Sequence, residues 1–485
     1  MKLLWTTFAA GLFLALCILH GASEAAASSV AGVTPNGSPP IPAMVFIEAP
    51  MVRFGNLSQR FPKGSRLVRT RPADATATAL TLTPGFFAAA DPQVSFDGKR
   101  ILFSAERAKG DSWQVWEVAT DGSRLHQITH DAGDSLQPKY LPQNQLVYTF
   151  VSGPGTQRWS AVYVSQMDGT NAHPITFGPG NFQVETVLHS GRILVSAESP
   201  LGASQGKRSR TLFTLRPDGS GLALLRVDNA RENRGGAIEL ADGTIVFLEA
   251  AGESANGQLA WIQQGALRTS SLTRSPSDYA SVAQLDDARL IVAKQNSLRS
   301  KNRIFDLYAF DLASNSVGDL LYRDAKVSSV QAVPLVPHAL PLIYWSILHP
   351  TAQTGRILCL DSYISQDVAS GRLAGHIAKV RVLTLEQPGN RERIVGDAPV
   401  ESDGSFYATV PADAPIRFEL LGAKGEILHA QRSWIWVRNG EDRGCQGCHD
   451  SPALAPANHF PMALRRFDTP TPLGNVLHAQ RSGQR

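Results

Sequence analysis

A strand-rich unit recurs along the middle of this 485-residue chain. "DPQVSFDGKRILFSAER" leads into "WQVWEVATDGSRLHQITH", "DSLQPKYLPQNQLVYTF" into "SAVYVSQMDGTNAHPITFG", and "NFQVETVLHSGRILVSAE" into "TLFTLRPDGSGLALL". "GGAIELADGTIVFLEA" and "YASVAQLDDARLIVAKQ" with "IFDLYAFDLASN" are weaker copies. The Asp-Gly steps at Asp121, Asp168 and Asp218 lie 47 and 50 residues apart, close to the roughly 40–50-residue period of a four-stranded propeller blade. Apolar residues alternate at period two in "RILFSA" and "QVWEVA", as half-buried strands require. Asp-Gly between such strands predicts a type I′ hairpin turn, because Gly takes positive φ without strain. One hairpin cannot bury its own face, so the copies must stack radially. Five copies run from about 91 to 325. "PAMVFIEAP", "SRLVRTRP" and "TALTLTP" form a degenerate first copy, and "VQAVPLVP" supplies a strand to close the ring. The expectation is an all-β chain whose residues 41–345 form a six-bladed propeller, with seven blades as the alternative.

These copies resemble the TolB-type, WD40-like propeller repeats of periplasmic proteins, which implies a binding or scaffold surface. Gly202-Ala203-Ser204-Gln205-Gly206 matches G-x-S-x-G but lies in a polar loop between two strands. A nucleophile elbow needs a strand before it and a helix after it, so Ser204 is read as part of a hairpin loop, and no catalytic residue is assigned. The formal charge of +4 is spread along the chain, without the clustered basic footprint of a nucleic-acid binder.

After Pro350 the turn spacing changes. "TGRILCLDSYIS", "GHIAKVRVLTLE", "GDAPVESDGSFYATVP", "IRFELLGAKGEILHAQ" and "RSWIWVRNG" read as strands joined by Gly-rich turns. So many short strands over 350–440 predict a small β-sandwich. Around "DGSF" and "VPADAPIRFELLGAKG" it resembles transthyretin- or carboxypeptidase-regulatory-type sandwiches. At the N-terminus, Lys2, the apolar run Leu3–Leu19 and Ala25-Ala26-Ala27 form a secretory signal-peptide pattern over 1–27. An uncleaved anchor is the alternative, although the run is slightly short for a bilayer. The expected mature protein is periplasmic or otherwise exported, with no membrane span.

Removal of the signal peptide leaves Cys359, Cys445 and Cys448. Cys359, in the strand "RILCLDS", reads as a core thiol, with a ligand role open because the sequence does not fix its distance from the other two. Cys445, Cys448 and His449 form C-x-x-C-H in "GEDRGCQGCHD". Two thiols at that spacing followed by His suit covalent attachment of one haem c, with Cys445 and Cys448 as thioethers and His449 as axial iron ligand. Zinc would need a second ligand pair. A thioredoxin-like pair would need a βαβ setting. Both alternatives lack that context.

Only 36 residues follow His449, so the tail 441–485 must hold a haem against the rest of the chain. Trp434 and Trp436 stand two apart on a predicted strand, and so face one side where they could wall the group; ordinary packing is the alternative. Arg443, Arg465 and Arg466 are candidate propionate partners, or plain surface arginines. Distal candidates are His459 and Met462, then His478, His429, His130 and His173, or an open position. A strong sixth ligand suits electron transfer, and an open site admits a small molecule.

The propeller repeats, then "GDAPVESDGSF…VPADAPIRFELL", then "SWIWVRNGEDRGCQGCHD…APAN", together resemble the hydrazine synthase alpha-subunit family. The resemblance covers nearly all of the chain after the signal peptide and is most specific from Gly396 to Asn458. It implies a propeller followed by a middle domain with a c-type haem, and Cys445, Cys448 and His449 match its attachment motif. The family's hydrazine-forming subunit also carries a further C-terminal haem domain, and a tyrosine shortly after C-x-x-C-H. This sequence has neither that domain nor any Tyr after Tyr407, and Ala453 stands four residues past His449. Hydrazine formation is therefore not expected. The expected function is that of an exported monohaem c-type cytochrome on a propeller scaffold. It would serve electron transfer with a redox partner protein, or haem-based redox chemistry on a small molecule. The alternative is a propeller binding module whose haem is structural or sensory.

Overall fold

The computed structural model describes residues 40–473, except 71–78, 154–157, 199–209, 226–231, 252–256, 264, 267–268, 274–277, 297–302, 366–367, 387–390 and 449–455. The signal-peptide pattern, Gly202–Gly206, His449, Ala453 and His478 lie outside the described residues. No α-helix occurs among the described residues, only short 3₁₀ turns such as Leu57–Gln59 and Met462–Leu464.

Six four-stranded blades form the propeller. Their inner strands are Ala88–Val94, Asp134–Leu141, Gln183–Val187, Glu232–Glu239, Tyr279–Gln284 and Ser328–Pro334. The last of these pairs antiparallel with Met44–Ala49, which continues into Arg66–Arg69 and Leu80–Thr81. The degenerate first copy and "VQAVPLVP" thus make one blade from the two ends of the ring. One parallel contact, Arg210↔Asn233, joins two neighbouring blades into an eight-stranded sheet.

Two expectations change in detail. Ile101–Ala105 and Ile193–Ala197 are buried residue after residue, not alternately. Each blade lies between two others, so both of its faces are covered. The Asp-Gly turns are not type I′ either. Gly122, Gly169 and Gly219 have φ of +89°, +79° and +83°, while Asp121, Asp168 and Asp218 are not in the positive-φ region. The Gly N–H donates three residues back, to Ala119, Gln166 and Arg216. This is a type I turn closed by one left-handed Gly, a three-residue hairpin. The Asp carboxylate accepts the N–H and hydroxyl of Ser123, Thr170 or Ser220, which fixes the loop.

Each inner strand is bulged at the same height. Asp91, Gln137 and Gln331 take positive φ there. The freed backbone donors are satisfied from the neighbouring blade. Asp91 N–H donates to Gln331 Oε1 (2.9 Å), Gln137 N–H to Asp91 Oδ2 (3.0 Å), Ala237 N–H to Glu185 Oε2 (3.1 Å) and Gln331 N–H to Ser281 Oγ (2.8 Å). Side chains at the bulges therefore stitch blade to blade around the axis, as buried backbone N–H groups require.

The second unit of structure is the expected sandwich. One sheet holds, in order, Asp442–Cys445, Thr354–Cys359, Phe406–Pro411 and Thr471–Pro472. The other holds Arg391–Pro399, Lys379–Glu386, Ile416–Leu421 and Ile427–Ala430. Ile357, Val380, Val382, Phe406, Val410, Phe418 and Leu420 fill the space between them. "RSWIWV" is not a strand: only Ile435 bridges, to Ile416. That irregular path lets Trp436 leave the sandwich and enter the propeller. Trp436 is wholly buried beside Phe177 and Phe182, and its indole N–H donates to Gly219 O (3.0 Å).

Candidate functional site

The strand Asp442–Cys445 lies at a sheet edge and pairs in parallel with Thr354–Cys359, bringing Cys359 into register with Cys445. The following residues wrap around the neighbouring chain. Leu360 N–H donates to Cys445 O (2.9 Å), Asp361 N–H to Gln446 O (3.1 Å), and Cys448 N–H to Ile364 O (2.9 Å). Gly447 passes so close to Ile364 that a Cβ there would sit 2.6 Å from its carbonyl oxygen. Cys445 is half-buried on the edge strand, while Cys448 is only 7% exposed. Both pack against the sandwich core that also contains Cys359. The sequence could not show that Cys359, Cys445 and Cys448 meet here, because Cys359 and Cys445 are far apart in the chain.

A neighbouring turn organises the tail. Ser362 N–H donates to Gly404 O (2.8 Å), placing the Asp403-Gly404-Ser405 turn beside the loop that holds the motif. Asp403 Oδ2 accepts from His459 Nε2 (2.9 Å) and Met462 N–H (2.8 Å). Ser405 Oγ accepts from Ala463 N–H (2.9 Å). Burial works against the Asp403 charge, but hydrogen bonds from Ser405, Met462 and His459 outweigh it and hold the carboxyl down at about 2. His459 has its other ring nitrogen 3.0 Å from Ala457 O, so both nitrogens face acceptors. Met462 Sδ accepts from Ser402 Oγ at 3.2 Å. Both distal candidates are thus brought to this end of the sandwich and tied to one turn. His429 is half-buried on Ile427–Ala430, and His173 lies on the propeller surface beside Asn171 O.

The other candidates are used elsewhere. Trp436 fills the propeller core, and Trp434 lies under the Arg417 guanidinium, 5.7 Å from its ring centroid. Neither shares a strand face. Arg443 donates to Leu222 O (2.6 Å) and Trp436 O, at the joint with the propeller. Arg466 pairs with Asp468 and Glu401, and Arg465 stacks on Phe460.

Two thiols at C-x-x-C spacing, one on an open sheet edge and the other on an apolar wall, fit covalent attachment of a flat apolar group. Among the described residues, no three His, Cys, Asp or Glu side chains come together as a metal-ion site. A cavity of about 860 Å³ lies on the propeller axis, lined by the bulged strands, and none of Cys445, Cys448, His459 or Met462 lines it. No helix among the described residues is long and apolar enough to cross a membrane.

Comparison with known proteins places this geometry. Residues 362–450 match the family model "Hydrazine synthase alpha subunit middle domain". The hydrazine synthase subunit alpha of Kuenenia stuttgartiensis is 21% identical, across 84% of this chain and 66% of its own length, so the chain spans just under two thirds of that relative. The Kuenenia stuttgartiensis hydrazine synthase structure superposes with a TM-score of 0.77 at 20% identity, covering 88% of this chain and 72% of that one. TolB from Acinetobacter baumannii gives a TM-score of 0.44 at 12% identity, over 60% and 66% of the two chains. With residues 362–450 matching that middle domain and a six-bladed propeller before it, the chain is similar to hydrazine synthase alpha in sequence and in fold.

Proposed function

We propose that this is an exported protein carrying one haem c, attached at Cys445 and Cys448 with His449 as axial ligand, and acting in redox chemistry. The observation that carries the reading is C-x-x-C-H, its two thiols on one edge of a sandwich matched to the family's middle domain. Haem, when bound, supplies a one-electron iron couple. The chain's own residues supply the setting. Cys448 belongs to the same buried apolar core as Ile357, Cys359 and Val380, which excludes water. The Asp403 turn holds His459 and Met462 in place and keeps the tail against the sandwich. A redox partner protein would meet the open edge beside Cys445, and a small-molecule substrate is the other use of an accessible iron.

A second reading is favoured by the axial cavity, a space large enough for a small ligand and walled by Asp91, Lys139, Glu185 and Arg210. In it the propeller binds a molecule or partner, and the haem senses or stiffens.

One optical experiment separates these. The exported chain is produced with cytochrome c maturation, reduced with dithionite and exposed to carbon monoxide. A c-type α-band indifferent to the gas supports electron transfer, and a band that shifts supports small-molecule chemistry. Pull-down of a partner by a Cys445→Ala/Cys448→Ala chain supports the binding module. Absence of any haem band overturns the proposal.

A further inference from the structure

We propose that Cys359 is the disulfide partner of Cys445 in the cofactor-free chain, so that the haem site has a built-in thiol lock. The lock's bearing on haem loading rests on the reading above, whereas the bridge itself does not. Three observations carry it. Cys359 and Cys445 are register partners on adjacent parallel strands. Such neighbours have side chains on one face and Cα atoms about 4.8 Å apart, within the roughly 4.4–6.8 Å that disulfides span. Both residues belong to the same core contact, Cys359 at 1% exposure and Cys445 packed against it. The competing partner, Cys448, is held away by backbone bonds on both sides. The Cys445 carbonyl accepts from Leu360 and the Cys448 N–H donates to Ile364, stretching the intervening Gln446-Gly447 around the 360–364 segment. Closing Cys445 on Cys448 would have to break that wrap.

The exposures order the chemistry. Half-buried Cys445 is the entry thiol, and its thiolate attacks an external disulfide, R–S–S–R, of a dithiol oxidase. One sulfur of R leaves as a thiolate and a mixed disulfide remains. The Cys359 thiolate then displaces the second sulfur of R. Two cysteine thiols lose two protons and two electrons, and R–S–S–R takes the electrons and leaves as a dithiol. The product staples Asp442–Cys445 to Thr354–Cys359 and removes the Cys445 thiol needed for a thioether. Loading a haem then requires prior reduction.

The test uses the full chain exported from a host without haem maturation, acid-quenched, alkylated and digested with trypsin without reduction. The expected product links Ile357–Arg372 to Gly444–Arg465, with the alkyl group on Cys448. A bridge inside Gly444–Arg465, or alkyl groups on all three cysteines, overturns the proposal. In a maturation-competent host, haem per chain in Cys359→Ala should exceed wild type severalfold when the thiol-reducing arm is limiting; equal loading overturns the lock. A chain that takes up no haem in either form refutes the haem reading, and the peptide map still decides the bridge.

Discussion

Asp403 shows how much one side chain organises at the site. Its carboxylate receives the His459 imidazole, the Met462 N–H, and the N–H and hydroxyl of Ser405. Its pKa of about 2 lies below the ordinary 3.8, so ionised Asp403 stabilises the fold. The contribution is complete above about pH 4 and is lost as pH falls toward 2. Allowing for nearby solvent, Asp403→Asn should cost about 1–2 kcal/mol at pH 6. Urea unfolding from pH 6 down to pH 3 should show the gap to wild type narrowing; a constant gap would mean the loss is steric. C-x-x-C-H spacing was visible in the sequence because it is local. His459 and Met462 stood out as ligand types, but their attachment to Asp403 depends on a turn nearly 60 positions away. Arg443 was read for its charge, whereas the structure uses its reach to the Leu222 carbonyl.

Among elements, the inner-strand bulges matter most. Arg60 binds both Asp91 oxygens at 2.9 Å, and Asp91 also serves the Gln137 and Gln331 bulges. Asp91→Ala strands a mostly buried guanidinium and a backbone donor, and should cost about 3–5 kcal/mol, read as a lowered denaturation midpoint. The turns allow a paired test. Gly169→Ala and Gly243→Ala both force an L side chain to positive φ, at about 1–2 kcal/mol. At Gly169 the new Cβ would also overlap the Ile128 carbonyl, while at Gly243 nothing lies within 4 Å. Gly169→Ala should therefore be clearly the more destabilising in parallel thermal melts, and equal losses would show that the turn moves freely. The blade period was legible because every copy repeats its strand and turn signals. The bulges were not, since one extra residue leaves the apolar pattern nearly intact and its cause, an acceptor from the neighbouring blade, is non-local. "RSWIWV" misled for a related reason. Alternating aromatic and apolar residues suit a strand, but Trp436 alternates toward a different domain's core.

At the scale of the whole molecule, the propeller and sandwich are joined by a compact set of contacts around one propeller turn. Trp436 fills the core behind Gly219. Arg438 reaches the Asp218 carbonyl, Gly221 N–H donates to Glu441 Oε1 at 2.9 Å, and Arg443 holds the Leu222 carbonyl. All of these sandwich residues lie within ten positions of the C-x-x-C-H motif, so the edge strand bearing Cys445 is positioned by the propeller as well as by its own sheet. Trp436→Ala removes the largest fully buried side chain of the described structure, a change that typically costs about 3–5 kcal/mol. The cost falls on one joint, so it should appear as lost cooperativity. Wild-type calorimetry should give one transition, while Trp436→Ala should give two, the sandwich melting first. Hydrogen exchange would then rise in Asp442–Cys445 and Thr354–Cys359 while the inner blade strands keep their protection. A single transition merely shifted downward, with exchange raised evenly, would show that the two domains are coupled through the chain linking them and not through this tryptophan.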